Sequence, residues 1–511
     1  MIGNSWRKHA GLLLVMAVVA PLMLTWSWTD QIGELGSDAP DYLIAARGYA
    51  APVNGDPVDR EFASTTRFPP LYPLLLALFH GGDHLLTAHL VTTCCLLAAL
   101  LVLYHWLTGE GLSTAQSALI GLTLSMLPAT WMMALRPQSE YPYLLLSLLV
   151  LLLLGRHRLS RHPNTLFMAA LLVAAAALTR TIGVTLLGPL AMACLNTRRR
   201  EGLIAIGLAL VPLILWHSLH RDSVGYDTTL SFLLRKDPVA ALTSNLPQLA
   251  SALWSALRHS LVPDRIPSPL AALVPAACLV ATIARLLRLR GDAVYLALYG
   301  AILLMWPYPE EMERLLWPAL PVLLAQPFLL LHARTTGSSW PSEIFQGVVT
   351  LSSLLVALPA LSLTSERYRC ADEAGLSGAR GYEAWYHPDL AHALNRLATE
   401  IGTEDALEAF AQEVPANDCV VATRPNFVTY LARRRAATPP LNSVPDPYFM
   451  RMLRESGCRY VFMYNVGNMQ FPVVFHPMQR LPEPVRIVAK RQTAAPPPGD
   501  EVMYGLLARI E

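Results

Sequence analysis

Several charged residues of this sequence stand where charge is expensive. Asp38 and Asp41 follow an apolar run ending near Trp28, inside Gly36-Ser-Asp-Ala-Pro-Asp-Tyr-Leu-Ile-Ala-Ala-Arg-Gly-Tyr-Ala50. Glu140 opens a later apolar run, Arg180 separates two others, and Arg314 begins one directly after Glu310, Glu311 and Glu313. A carboxylate held at a membrane interface is partly desolvated, which raises its proton affinity and makes it a better base. An arginine near membrane depth is costly unless it faces a cavity or a partner. Each residue also has a structural reading. Asp38 is placed to cap a helix, Pro69-Pro70 to start one, and Glu140 to meet the positive end of a helix dipole. Arg180 could snorkel to the interface, and Arg314 could pair with a neighbouring glutamate. Residue type alone leaves both sets open.

The elements that must position these residues are read from hydropathy. Only 15% of the 511 residues are charged, against roughly a quarter in a soluble domain. That deficit excludes a disordered chain, and a net charge of +2 gives no electrostatic footprint for nucleic acid. A bilayer crossing needs about 20 apolar residues. Uncharged runs of that order lie near 10–28, 85–107, 113–134, 139–154, 165–180, 181–196, 202–219, 267–284, 292–307, 314–331 and 347–364. They predict an α-helical polytopic membrane protein of about 11 transmembrane helices, with 165–196 also readable as one helix interrupted at Arg180. The first run lacks a small-residue cleavage pattern and reads as a retained anchor. Arg156, Arg158 and Arg161, then Arg198 to Arg200, then Arg285, Arg288 and Arg290 mark one side as cytoplasmic. Asp38, Asp41, Asp56, Asp59, Glu61, Glu140, Glu310 and Glu311 fall on the other. The expected topology is a multi-pass protein of the cytoplasmic (inner) membrane, with the N-terminus cytoplasmic.

Residues 1–364 therefore read as a membrane domain and 365–511 as a periplasmic soluble domain. Within the latter, Pro388–Val414 has helical spacing, Cys419 to Thr423 reads as a strand and Pro425–Arg434 as a helix. Pro445–Gly457 reads as a further helix and Cys458–Tyr464 as a strand, an alternation that predicts a small α/β domain. No glycine fingerprint opens any of its helices, so a lid or acceptor platform is the expected role. Cys419 and Cys458 open the two strands and are spaced to be neighbours, so a bridge between them is one option. Cys94, Cys95, Cys194 and Cys278 sit in apolar runs and read as small hydrophobes. His80, His84, His217, His220 and His259 show no ligand spacing.

Taken in order, the motifs resemble a known family. They are Asp38 with Tyr42 four residues on, and Arg67-Phe-Pro-Pro-Leu-Tyr72-Pro-Leu-Leu-Leu-Ala-Leu-Phe79. Ser139-Glu140-Tyr-Pro-Tyr143, Leu178-Thr-Arg180-Thr-Ile-Gly183 and Glu313-Arg314-Leu-Leu-Trp-Pro-Ala-Leu-Pro321 follow. The set resembles the GT-C integral-membrane glycosyltransferases, in the branch holding protein O-mannosyltransferases and bacterial aminoarabinose transferases. Where that family usually has Asp-Glu, this chain has Asp38-Ala39.

The resemblance implies transfer of a sugar from a polyprenyl-phosphate-linked donor to a cell-envelope glycan, lipid or protein acceptor, with inversion. It implies a GT-C-like membrane domain with juxtamembrane helices in the first outer loop. The acceptor hydroxyl needs a base, with Asp38 first and Glu140 second. The departing lipid phosphate needs a cation, for which Arg180 and Arg314 are suited by their planar fork. Asp41, Tyr42, Arg67, Tyr72, Glu310 and Glu311 are further candidates. Relatives differ in whether they require a divalent metal cation; Asp38 and Glu140 are the oxygen ligands that could hold one. The alternative to an enzyme is a transporter or flippase of lipid-linked sugars, but that class is marked by internal repeats and midplane charges. Here no repeat is evident, and the charges gather towards the outer helix ends.

Overall fold

The structure is a computed structural model that describes residues 9–29, 38–66, 68–219, 238–261, 268–306, 311–335, 347, 351, 403–422, 425–437, 451, 454–464, 485–494 and 501–510. Its helices are α1 Ala10–Trp26, α2 Ala39–Ala50, α3 Pro57–Thr65, α4 Leu71–Leu78, α5 Leu85–Gly109, α6 Thr114–Ser125, α7 Pro128–Ala134 and α8 Glu140–Ser160. There follow α9 Pro163–Thr179, a 3-10 turn Thr181–Leu186, α10 Leu187–Leu195, α11 Arg199–Leu219, α12 Pro238–Leu261, α13 Ser268–Leu286 and α14 Gly291–Leu304. After α15 Met312–Leu316 and α16 Leu320–Thr335 come β1 Cys419–Ala422, α17 Pro425–Ala432, β2 Arg435–Ala437, β3 Tyr460–Tyr464, β4 Val485–Ala494 and β5 Glu501–Ile510. The chain forms two compact units. One comprises Met1–Trp28, Arg67–Tyr72 and His89–Arg369; the other comprises Thr29–Thr66, Pro73–Ala88 and Cys370–Glu511.

The first unit is helical. Helix α9 packs against α8 and α11, α10 against α14, and α13 against α16. Among the described residues, α5, α8 and α11 are each long and apolar enough to cross a bilayer alone. Residues Ala272–Leu286 and Gly291–Leu304 meet the same requirement only as a pair, bent by 116°. Helices α1 and α9 and the run Thr181–Leu195 are apolar but shorter. Several expected crossings are thus broken in local structure. The run 113–134 divides into α6 and α7, and 314–331 divides around Trp317 to Ala319. The expected crossing at 347–364 lies outside the described residues. Local signals fix the ends: Ser113 and Gln116 exchange side-chain and backbone bonds in a capping box before α6, and Pro163 opens α9.

The second unit joins the first-loop helices to the C-terminal sheet. Asp56 caps α3 by accepting from the Val58 amide at 2.8 Å, and Pro57 follows it as the first helical residue. Helices α2 and α3 cross at Gly48, where an added Cβ would lie 2.4 Å from the Asp59 carbonyl oxygen. Only glycine permits that approach. The Arg47 guanidinium pairs with Asp59 at 3.0 Å, both side chains being buried, and lies 4.7 Å above the Tyr430 ring of α17. Arg433 adds contacts of 3.3 Å to Asp59 and to Asp83, and Arg435 reaches Glu61 at 3.3 Å. Burial pushes the Asp59 carboxyl up, against the pull of Arg47 and Arg433, and pushes Tyr430 up to about 12.

The sheet order is β2-β1-β3-β5-β4. Strands β1, β2 and β3 run parallel, with Val420 opposite Tyr460 and Val421 opposite Val461. Strand β5 is antiparallel to both β3 and β4. Strands β1 and β3 and helix α17 fall where the hydrophobic pattern predicts them; β2, β4 and β5 do not, because their arginines, lysine and glutamine blur the alternation that marks a strand. Cys419 and Cys458 are disulfide-bonded. The bridge closes a loop with a sequence separation of 39, so Cys458→Ser should cost this unit about 4 kcal/mol by chain entropy. Urea unfolding followed by circular dichroism checks it; an unchanged midpoint would deny the bridge a stabilising role.

Candidate functional site

Glu140 and Arg180 are brought together by two helix ends. Glu140 is the first residue of α8, where a carboxylate meets the positive end of the helix dipole. Arg180 terminates α9 in an extended conformation, with φ −146° and ψ 134°. The chain turns there because Gly183 presses on the preceding helix: a Cβ at that position would lie 2.6 Å from the Ala176 carbonyl carbon. The Gly183 amide donates to the Arg180 carbonyl at 2.8 Å, which fixes the break. A single long helix through this run would carry the arginine past the bundle; the break holds it at the end of α8.

Arg180 Nη1 lies 2.6 Å from Glu140 Oε1, with side-chain exposures of 11% and 3%. The same nitrogen donates to the Ser139 hydroxyl at 3.3 Å. Among the described residues neither Glu140 oxygen has a further hydrogen-bond partner. Such a carboxylate retains desolvated lone pairs able to accept a hydrogen bond from a hydroxyl. Beside the pair lies a buried tyrosine cluster. The Tyr143 and Tyr295 hydroxyls are 3.1 Å apart, and the Tyr295 and Tyr299 rings meet edge to face at 5.6 Å. The Tyr299 hydroxyl donates to the Leu315 carbonyl. Sequence reading singled out Glu140 but not these rings. Their signal was the helical spacing: Tyr143 is three residues after Glu140, and Tyr299 four after Tyr295, each pair on one helix face.

The other candidates are placed individually. Asp38 occupies the N-cap position of α2, half-buried, yet its side chain makes no capping bond. Asp41, in the first turn, accepts a hydrogen bond from the Asn426 amide of α17. Tyr42 is buried on the same helix. The Tyr72 hydroxyl, also buried, pairs with Thr92 at 2.8 Å. Arg314 Nη2 lies 3.5 Å from Glu311 Oε2, the local pair that its sequence neighbours suggested. Arg67 and Glu310 lie outside the described residues. Asp38, Asp41 and Tyr42 belong to the second compact unit, and Glu140, Arg180, Tyr72 and Arg314 to the first.

A divalent cation wants six or more oxygens. Among the described residues no three His, Cys, Asp or Glu side chains gather to hold one. Glu140 itself carries a guanidinium at 2.6 Å that would repel a cation. The described residues therefore offer no set of three protein ligands for a cation.

No protein-family model and no curated protein sequence matches the chain. Solved structures do match. The oligosaccharyltransferase of Archaeoglobus fulgidus, in its apo form, aligns at a TM-score of 0.50 and 12% identity, covering 90% of this chain and 70% of that one. ArnT from Cupriavidus metallidurans aligns at 0.50 and 13% in the apo state, covering 98% of each chain. Its form bound to undecaprenyl phosphate aligns at 0.50 and 12%, again over 98% of each chain. The chain has the GT-C fold. Sequence resemblance and fold thus agree, although so little identity carries no residue roles across.

Within this GT-C fold the Glu140–Arg180 pair makes a stability prediction. Removing one member of a buried pair strands the other charge and costs about 3 kcal/mol or more. Glu140→Gln and Arg180→Met should therefore each lower the thermal midpoint in detergent, and the double variant should recover part of the loss. Strict additivity of the two losses would show that the side chains do not interact.

Proposed function

We propose that this protein is a membrane glycosyltransferase that moves a sugar from a polyprenyl-phosphate donor to an acceptor hydroxyl or phosphate. The reaction occurs at the outer face of the cytoplasmic membrane and inverts the anomeric centre. The observation that carries this reading is the buried Glu140–Arg180 pair at the mouth of a bilayer-length helix, in a fold shared with an ArnT solved with undecaprenyl phosphate. The similar structures described above are an oligosaccharyltransferase and an ArnT, and no observation favours the transporter reading.

The chemistry divides among the residues as follows. Asp38 removes the proton of the acceptor hydroxyl as its oxygen attacks the anomeric carbon. The bond from that carbon to the phosphate oxygen breaks, and its electron pair leaves with the lipid phosphate. Arg180 and Arg314 meet the charge that develops there, a stabilisation that acts most strongly in the transition state. Glu140 orients Arg180 and is the second candidate for the base. The hydrogen bond from Asn426 steadies the first turn that carries Asp41, and Asp38 lies three residues before Asp41. Arg67, Tyr42, Tyr72, Glu310 and Glu311 remain substrate-binding candidates.

Orientation rests on two observations. Arginines crowd the connections opposite to the one bearing Asp38, and the Cys419–Cys458 bridge belongs in an oxidising compartment. Residues 365–511 are then periplasmic, contributing to the acceptor side, and 1–364 form the membrane domain.

Transfer from a labelled polyprenyl-phosphate sugar tests the assignment. Asp38→Asn should lower turnover by about 100-fold or more at unchanged protein level, the range expected for a lost general base. Full activity in that variant removes Asp38 as the base. Arg180→Ala should cost about 100-fold in turnover, with Arg180→Lys restoring part of it; unchanged kinetics assign Arg180 to structure. A reporter fused after residue 370 should show extracytoplasmic activity, and a cytoplasmic signal overturns the orientation.

A further inference from the structure

Helix α8 has a second chemically equipped end. His157 lies 17 residues beyond Glu140, about 25 Å along the axis, so the last turn of this bilayer-length helix sits at headgroup depth on the opposite membrane face. A cavity of ≈ 140 Å³ opens there between the ends of α5, α8 and α10 and the turn from α13 to α14. One wall is apolar, formed by Trp106, Leu151 and Met192.

Its two acids are already neutralised. Asp292 Oδ2 accepts from Arg285 at 2.7 Å and from Gln326 at 2.9 Å. Glu110 Oε1 accepts from Arg158 at 3.2 Å, and its other oxygen faces Arg285 at 3.8 Å. What remains is donor capacity. Arg158 is bound at that one contact, and Arg161, held in a left-handed turn at φ 54°, donates to the Asn196 carbonyl at 2.7 Å. A guanidinium has five N–H donors, so both arginines keep several for an anion. The third group is His157, 1% exposed. Its Nδ1 lies 3.0 Å from the His162 carbonyl oxygen, which can only accept, so Nδ1 carries the proton. In the neutral ring Nε2 is then a buried acceptor, and among the described residues it has no partner.

A ligand completing this site presents acceptor oxygens to two arginines, a donor to His157 and apolar chains to the outer wall. We propose that the cavity binds the headgroup of a membrane phospholipid whose phosphate has a hydrogen-bond donor beside it, an ethanolamine ammonium or a glycerol hydroxyl. The volume suits a headgroup, leaving the acyl chains along the bundle surface. The inference rests on the membrane reading of α8 and is independent of the transfer chemistry.

Thermal unfolding of the purified full chain in detergent tests it, with phosphatidylethanolamine, phosphatidylglycerol, phosphatidylcholine or inorganic phosphate added. The first two lipids should raise the midpoint. Phosphatidylcholine, whose headgroup has no N–H or O–H donor, should require about tenfold more lipid for the same shift, and inorganic phosphate should leave it unmoved. Arg158→Gln with Arg161→Gln should abolish the shift, as should Ala193→Phe, which fills the cavity without altering its charges. His157→Phe should make the ethanolamine and choline lipids equivalent. Equal response to the ethanolamine and choline lipids in the unaltered chain overturns the proposal, as does a shift that survives in both the arginine and the cavity-filled variants. An equal response to inorganic phosphate replaces the lipid by a soluble anion. Glu140→Gln should keep the lipid shift while losing sugar transfer, so failure of either reading is seen separately.

Discussion

The pairing of Glu140 with Arg180 is the constraint around which the first unit is built. At exposures of 3% and 11%, neither charge is tolerable alone. Two apolar helices must therefore end at one place, one beginning on its acid and the other finishing on its arginine. The continuous apolar run from residue 165 to 196 cannot remain one helix under that demand. It breaks into α9, a 3-10 turn and α10, with Gly183 accepting the close approach that the break requires. Near the pair, the tyrosine hydroxyls find partners in one another and in the backbone.

A second buried pair plays the same part in the other unit. Arg47 and Asp59 tie α2 to α3, and the face of Arg47 is covered by Tyr430. The helix carrying Asp38 is thereby fastened to α17 by a desolvated cation and by the Asn426 contact to Asp41. This explains why a segment from the start of the chain belongs to the same compact unit as residues nearly four hundred positions later. The C-terminal sheet and α17 thus share a unit with the first-loop helices, and the contacts of α17 set the position of α2.

The legible parts of the fold were those governed by local rules. Hydropathy located the apolar helices, and the types and surroundings of Glu140 and Arg180 marked both as costly. Their contact was not legible, because it joins residues forty positions apart through a helix break, and a break at an arginine looks the same whether or not a partner waits there. The bond from Asn426 to Asp41 was hidden for a stronger version of this reason. Helix caps were misleading in one instance: Asp38 has the right position and residue type, yet the carboxylate does not bond the helix amides. Strands β4 and β5 are not legible because Arg486, Lys490, Arg491 and Gln492 interrupt the hydrophobic period of β4, and its partner β5 carries Gly505 in mid-strand.

Scarcity of charge gives those that remain their meaning. In a soluble domain Arg158 and Glu110 would be unremarkable surface residues; at the end of a bilayer-length helix they form a network that includes Arg285, Asp292 and Gln326. Helix α8 thus joins two polar assemblies across an apolar span, with an acid at its first residue and a histidine and arginine in its last turn. Both ends suit the helix dipole, so the same residues that equip the two sites also stabilise the helix between them. The carboxylate of Glu140 thus meets two electrostatic partners, the N-terminal end of α8 and the guanidinium of Arg180.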